Sequence, residues 1–170
     1  MNRLSLFLLL TLVMSFPLRA LSTEEGGKVP ACILTSLNDA QRYNLQHLQG
    51  KVLYVDFWAS WCPSCAHAFP FMNALSRDLK DRGLQVIAVN LDEEIDDAQQ
   101  FLSKFPADFT VVADLSKECA KDFKVQAMPS SFVIDRNGIV RYQQLGFRSG
   151  ESQALRDAVE RLLAEASNKP

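Results

Sequence analysis

Cys62 and Cys65, two residues apart in Trp61-Cys62-Pro63-Ser64-Cys65, have the spacing that lets two thiols act together. Such a pair closes a disulfide on itself or ligates a metal. Half a zinc site needs another half. The chain has no second C-x-x-C and no H-x-x-x-H; its histidines are His47 and His67, and its other cysteines are Cys32 and Cys119. Dithiol–disulfide chemistry is the reading that follows, with no metal and no cofactor required.

The pair sits between two patterns. Val52 to Trp58 is an apolar, β-branched and aromatic run that reads as a buried strand. A helical pattern starts at Pro63. Cys62 then falls at the helix N-cap, where unpaired N–H groups and the positive dipole end favour a thiolate. Cys62 is therefore the candidate nucleophile. Pro63 suits the first helical position, where no N–H is needed. Ser64 adds no charge. Cys65, one turn in, is the candidate resolving thiol, which attacks the mixed disulfide and releases product.

Other residues qualify by position. Asp56 lies six residues before Cys62 on a strand that otherwise reads as core. Burial there raises a carboxyl pKa, so Asp56 is a candidate acceptor for the Cys65 proton; the alternative is a strand-edge aspartate facing water. Trp58 reads as core. Trp61 is either an exposed substrate-binding aromatic or a packing residue. His67 reads as a surface histidine. Met128-Pro129 precedes Ser130-Ser131-Phe132-Val133, and a proline opening a strand is a candidate cis peptide.

The remaining pattern supplies the elements that must hold these groups. Short strands are expected at 32–35 and 42–45, with a turn at Asn38-Asp39. A helix is expected from Pro63 to about Arg82, bent at Pro70 and ended by Gly83. Strands follow at 84–90 and 109–113. A helix between them has Ile95, Ala98, Phe101 and Leu102 on one face. The acidic run 92–97 reads as its solvated start. A short helix at 116–123, a hairpin of strands 131–135 and 139–145 turning at Asn137-Gly138, and an amphipathic helix at 151–164 complete the chain. The order is β-β-β-α-β-α-β-α-β-β-α. It predicts an α/β fold with a central mixed sheet, parallel where helices cross over and antiparallel at the terminal hairpin.

The sequence has 170 residues, 48% of them hydrophobic, enough for one domain with a proper core. Asn2-Arg3, the apolar run Leu4 to Phe16 and Leu18-Arg19-Ala20 read as a signal peptide over 1–20. The alternative is an uncleaved N-terminal anchor, although a stretch of 13 residues falls short of a span. Residues 21–29 read as a flexible lead-in and 30–166 as the domain. Without Arg3 and Arg19 the net charge moves from −2 to −4, and no basic cluster stands out, which argues against nucleic acid as a partner. Outside the cytosol a cysteine pair stays oxidised unless a partner reduces it. Cys32 and Cys119 are read more readily as buried free thiols than as a disulfide; Cys119 lies beside Ala120 and Phe123 on a short helix.

Val55-Asp56-Phe57-Trp58-Ala59-Ser60-Trp61-Cys62-Pro63-Ser64-Cys65 resembles the thioredoxin active-site segment. Met128-Pro129 with Ser-Ser-Phe-Val-Ile-Asp and Asn137-Gly138 resembles that family's cis-proline strand and hairpin. The extra strands before residue 50 and the block from Val89 to Ala113, with Asn90 and Asp92, resemble exported thioredoxin-like proteins of the TlpA type, a group that includes the reductases of cytochrome c maturation. The resemblance implies a thioredoxin-like fold with an N-terminal β-hairpin and a β-α insertion. It implies that Pro129 is cis and abuts the disulfide, and that Met128 offers its backbone to an extended substrate. It also supports Asp56 as the buried acid/base. Many TlpA-type proteins carry an acid three residues after the second cysteine, where this chain has Ala68.

The functional expectation is an exported, periplasmic thiol–disulfide oxidoreductase that reduces protein disulfides and is re-reduced by a membrane protein. A monomer is expected, since no dimerisation segment stands out. The alternatives are an oxidase or isomerase running the same chemistry, and a Cu(I) chaperone using Cys62, Cys65 and either His67 or Met128.

Overall fold

Alternate residues of strand β3 (Val52–Trp58) feed two different cores, as a strand's two-residue period requires. The computed structural model describes residues 25–39, 41–148 and 150–165. In it Val52, Tyr54 and Trp58 join one hydrophobic cluster, and Leu53, Val55 and Phe57 join another. All seven residues of β3 are buried, as the unbroken apolar run predicts for a central strand.

Around β3 lie β1 (Ile33–Ser36), β2 (Arg42–Asn44), β4 (Leu84–Asn90), β5 (Thr110–Ala113), β6 (Ser130–Ile134) and β7 (Val140–Leu145). They form one sheet in the order β2-β1-β5-β4-β3-β6-β7. β3, β4 and β5 run parallel, whereas β6 pairs antiparallel with β3 and β7 with β6. The N-terminal hairpin β1–β2 adds antiparallel to β5 at the other edge. This is the mixed α/β sheet expected from the order of elements.

The helices are α1 (Pro63–Leu79), α2 (Ile95–Lys104), α3 (Glu118–Asp122) and α4 (Ser152–Ala164). One sheet face is covered by α1, α4 and the Ala98–Phe101 side of α2. There Trp58 packs against Phe69 and Phe101, with ring centroids 5.1 and 4.7 Å away. Truncating such a side chain to alanine costs about 3–5 kcal/mol. The other face is covered by Cys119 and Phe123, with Cys32, Leu34 and Leu45. No helix among the described residues is long and apolar enough to cross a membrane.

Several expectations need correction. The residues read as a signal peptide or anchor lie outside the described ones. Of the expected lead-in, residues 26–29 are pinned to the terminal hairpin. Gly26 N donates to Val140 O at 2.7 Å, Val29 N donates to Gly138 O at 2.8 Å, and Val29 is buried. Apolar burial of Val29 and three backbone bonds, including Val140 N to Gly27 O, hold what composition alone marks as loose. A 3-10 turn, Leu45–Leu48, follows β2 and places Leu45 in the core. The long helix ends at Leu79, and its last turn tightens to a 3-10 turn, Lys80–Arg82, closed by Gly83 at φ 99°. Pro70 lies within α1 on its exposed side. Ile95 is exposed rather than packed.

Cys32 and Cys119 are bonded to each other, with Cα atoms 5.1 Å apart and 87 positions apart in sequence. The bond ties the segment before β1 to α3. Both residues are buried, so burial alone did not distinguish a thiol from half of a disulfide.

Candidate active site

Cys62 is the N-cap of α1, in extended backbone geometry, and Pro63 fills the first helical position. Its Sγ accepts the Cys65 N–H at 3.2 Å, one of the four donors a helix start leaves unpaired. Ser64 Oγ lies 3.5 Å from the same sulfur. Cys62 and Cys65 are joined as a disulfide with Cα atoms 5.3 Å apart. Cys62 keeps 5% of its surface and Cys65 none, so an incoming sulfur meets Cys62.

Trp61 is 68% exposed, which decides between its two readings in favour of the surface. With Ser60, Cys62, Pro63, Phe101 and Phe105 it lines a cleft of about 490 Å³ between the start of α1 and α2. His67 is exposed beside this cleft. Among the described residues no three His, Cys, Asp or Glu side chains converge on one point.

Asp56 is fully buried on β3, on the face that carries Tyr54 and Trp58. Burial pushes its carboxyl up to about 7, and a hydrogen bond from Ser131 opposes that shift. Ser131 stands directly across on β6 and donates to Asp56 Oδ1 at 2.6 Å. Asp56 Oδ2 has no hydrogen-bond partner among the described residues. Tyr54 Oη is 2.8 Å from Ser131 Oγ, and burial holds the Tyr54 phenol well above its ordinary range. At neutral pH Asp56 is therefore a carboxyl poised between its two protonation states, in the same core cluster as Cys62 and Cys65.

The Met128–Pro129 bond is cis and leads straight into β6. Ser130 Oγ donates to Ala127 O at 2.6 Å, which closes the turn. Met128 is half-buried against the cluster that holds both cysteines. Ala68 is fully buried on α1, so the acid in this core comes from β3.

Sequence reasoning missed three groups. Tyr54 and Ser131 were read only as strand residues. Asp92 was read as part of a solvated run, yet it is buried. Its carboxylate accepts Ser60 N at 3.0 Å, Ser60 Oγ at 3.1 Å and Asn90 Nδ2 at 2.8 Å. Lys117 Nζ donates to Asp92 O at 2.6 Å. Asp92 thereby ties the loop before Cys62 to the end of β4. The readable signal is Asn90-Leu91-Asp92 itself: Asn90 Oδ1 accepts Asp92 N at 3.1 Å, a local turn made by a side chain. Glu93, Glu94, Asp96 and Asp97 are exposed, as expected of the rest of the run.

The comparisons agree with this geometry. The Redoxin family profile matches residues 24–160. A thiol-disulfide oxidoreductase ResA of Bacillus thuringiensis is 30% identical over 126 residues, covering 74% of this chain and 72% of the relative. The ResA of Bacillus subtilis is 30% identical over 119 residues, covering 70% and 66%. Among solved structures, a Chlorobium tepidum protein described as a thiol:disulfide interchange protein DsbE superposes with a TM-score of 0.79 at 40% identity, over 83% of this chain and 99% of that one. The chain belongs to the Redoxin family and is a thioredoxin-like, TlpA-type thiol–disulfide oxidoreductase.

Proposed function

We propose that this oxidoreductase is an exported reductant of protein disulfides, re-reduced by a membrane protein. The observation that carries the direction is the neutral surrounding of the Cys62 sulfur. Its hydrogen-bond neighbours are the Cys65 amide and the Ser64 hydroxyl, with no Lys, Arg or His among them. Strong oxidants in this chemistry are those whose reduced, thiolate form is heavily stabilised. One amide and one hydroxyl give modest stabilisation, which leaves the dithiol willing to give up its electrons. Export is supported by the N-terminal pattern and by the buried Cys32–Cys119 bond, since structural disulfides persist in oxidising compartments.

In the reductive cycle the Cys62 thiolate attacks one sulfur of the substrate disulfide. The substrate S–S bond breaks, one substrate sulfur leaves as a thiolate, and a mixed disulfide forms. Cys65 then gives its proton to the Asp56 carboxylate and attacks Cys62 Sγ. The second substrate sulfur leaves, and two electrons have passed from the protein pair to the substrate. The domain of residues 30–166 carries this work. Trp61, Pro63 and Ser64 contact the substrate on one side of Cys62, and the Met128–Pro129 segment contacts it on the other. The likeness to TlpA-type proteins makes cytochrome c maturation the process to which this activity fits.

Redox titration of the Cys62–Cys65 pair tests the direction. A potential at or below about −270 mV is expected, and a value near about −120 mV would reverse it.

A further inference from the structure

Three side chains from two strands form a chain of hydrogen bonds inside the sheet. Tyr54 Oη lies 2.8 Å from Ser131 Oγ, and Ser131 Oγ lies 2.6 Å from Asp56 Oδ1. All three residues are fully buried. Tyr54 and Asp56 share one face of β3, and Ser131 reaches both from β6.

Such a chain has two possible directions, and the ionised carboxylate selects one, because it can only accept. If Asp56 donated to Ser131, Ser131 would have to donate to Tyr54. The Tyr54 hydroxyl proton would then have no acceptor among the described residues, in a site without water access. Leaving a buried donor unpaired costs about 1–3 kcal/mol. In the opposite direction Tyr54 donates to Ser131 and Ser131 donates to Asp56 Oδ1, so both hydroxyl protons are used and the ionised carboxylate is served. When Asp56 takes a proton, this order is kept without turning either hydroxyl. The carboxyl proton falls to Oδ2, the oxygen that has no partner.

We propose that Tyr54 and Ser131 are positioning residues that act as a one-way hydrogen-bond chain, holding Asp56 with Oδ1 as a permanent acceptor and Oδ2 as the atom that takes and returns the dithiol proton. The proposal rests on the reading of Asp56 as proton acceptor for Cys65. It adds where the proton sits and what keeps it there. A carboxylate that receives a hydrogen bond is stabilised over its acid form, so the chain keeps Asp56 ionisable in a core that resists charge. Other elements on this face bring little that competes. From α1 come Cys62, Cys65, Ala68, Phe69 and Met72, from β4 Ala88, and from α4 Leu155 and Val159. Among the described residues of this cluster, those that titrate besides Tyr54 are the two cysteines, once reduced, and Tyr142 packed at its edge.

The test measures the Asp56 carboxyl titration by carbon-13 NMR in the full oxidised chain, and the pH profile of mixed-disulfide resolution in the reduced one. In Ser131→Ala the Asp56 titration is expected to move about one pH unit upward, the scale of one lost hydrogen bond to a charged group. The acidic limb of the resolution profile, where Asp56 becomes protonated and stops accepting, moves with it. Ser131→Thr keeps the hydroxyl and restores both. Tyr54→Phe, which touches Asp56 only through Ser131, moves both in the same direction by less. If Ser131→Ala fails to fold, Tyr54→Phe carries the test alone. An Asp56 titration unmoved in these variants overturns the chain. Asp56→Asn separates the two readings. If it removes the acidic limb while the chain variants leave that limb in place, the chain fails and Asp56 stands; if the limb survives in Asp56→Asn, both fall.

Discussion

Cys62 caps the helix that carries Cys65: its Sγ accepts the Cys65 amide proton across 3.2 Å. One residue of the pair thus stabilises the other's helix, and the exposed edge of the couple belongs to Cys62. That asymmetry supports the proposed order of attack, Cys62 first. Cys62→Ser is expected to reduce disulfide exchange to the uncatalysed rate. Cys65→Ser leaves a nucleophile without a resolving partner, so covalent complexes with substrate proteins should accumulate and be released by dithiothreitol. Non-reducing gels of the two variants check this, and complexes on Cys62→Ser would contradict it.

Asp56 also makes stability depend on pH. Its carboxyl is pushed up to about 7 by burial, while the unfolded chain keeps an ordinary aspartate near 3.8. Between these values folding takes up a proton. The stability from the neutral acid is full below the unfolded value and is lost as pH rises through about 7. From pH 5 to pH 8 the loss is on the order of 3 kcal/mol. Urea unfolding of the oxidised chain at both pH values should show it, and Asp56→Asn should remove it. An equal pH dependence in the variant would mean the loss arises elsewhere.

What was legible in the sequence was local. The C-x-x-C spacing, the β3 run, the proline before β6 and the helix stripes each lie within a short window, and each element was found. Tyr54–Ser131–Asp56 was not legible, because it depends on the register between β3 and β6, with 75 positions between Asp56 and Ser131. A serine in a buried strand was the one available sign. Asp92 is masked by its neighbours: four exposed carboxylates follow it, and its burial shows only in the fold, through its hydrogen bonds to Ser60 and Asn90.

The Cys32–Cys119 bond, with 87 positions between its ends, restrains the unfolded chain far from the redox pair. Replacing both residues by serine is expected to cost about 2–4 kcal/mol in unfolding under oxidising conditions. Disulfide exchange by Cys62 and Cys65 should persist at temperatures where the variant stays folded. A loss of exchange in the folded variant would show that this bond also serves the reaction.

Asp92 holds the loop that delivers Cys62, and its two oxygens are both committed. Ser60 Oγ donates to Oδ1, Asn90 Nδ2 donates to Oδ2 at 2.8 Å, and Ser60 N is shared between both oxygens. Asp92→Asn keeps the shape but swaps one acceptor for an amide donor. Facing Ser60, that amide donates to the Ser60 hydroxyl, and the Ser60 and Asn90 N–H groups are left on one neutral oxygen in place of a carboxylate. The expected cost is about 1–3 kcal/mol in unfolding. Because Ser60 is two residues from Cys62, the cost should also appear in the chemistry, as slower exchange with a protein disulfide in the folded variant. Glu93→Gln, at an exposed carboxylate of the same run outside the cleft and outside α2, is the control and should match the wild type in both measurements. Equal behaviour of the two variants would place Asp92 back among the solvated acids.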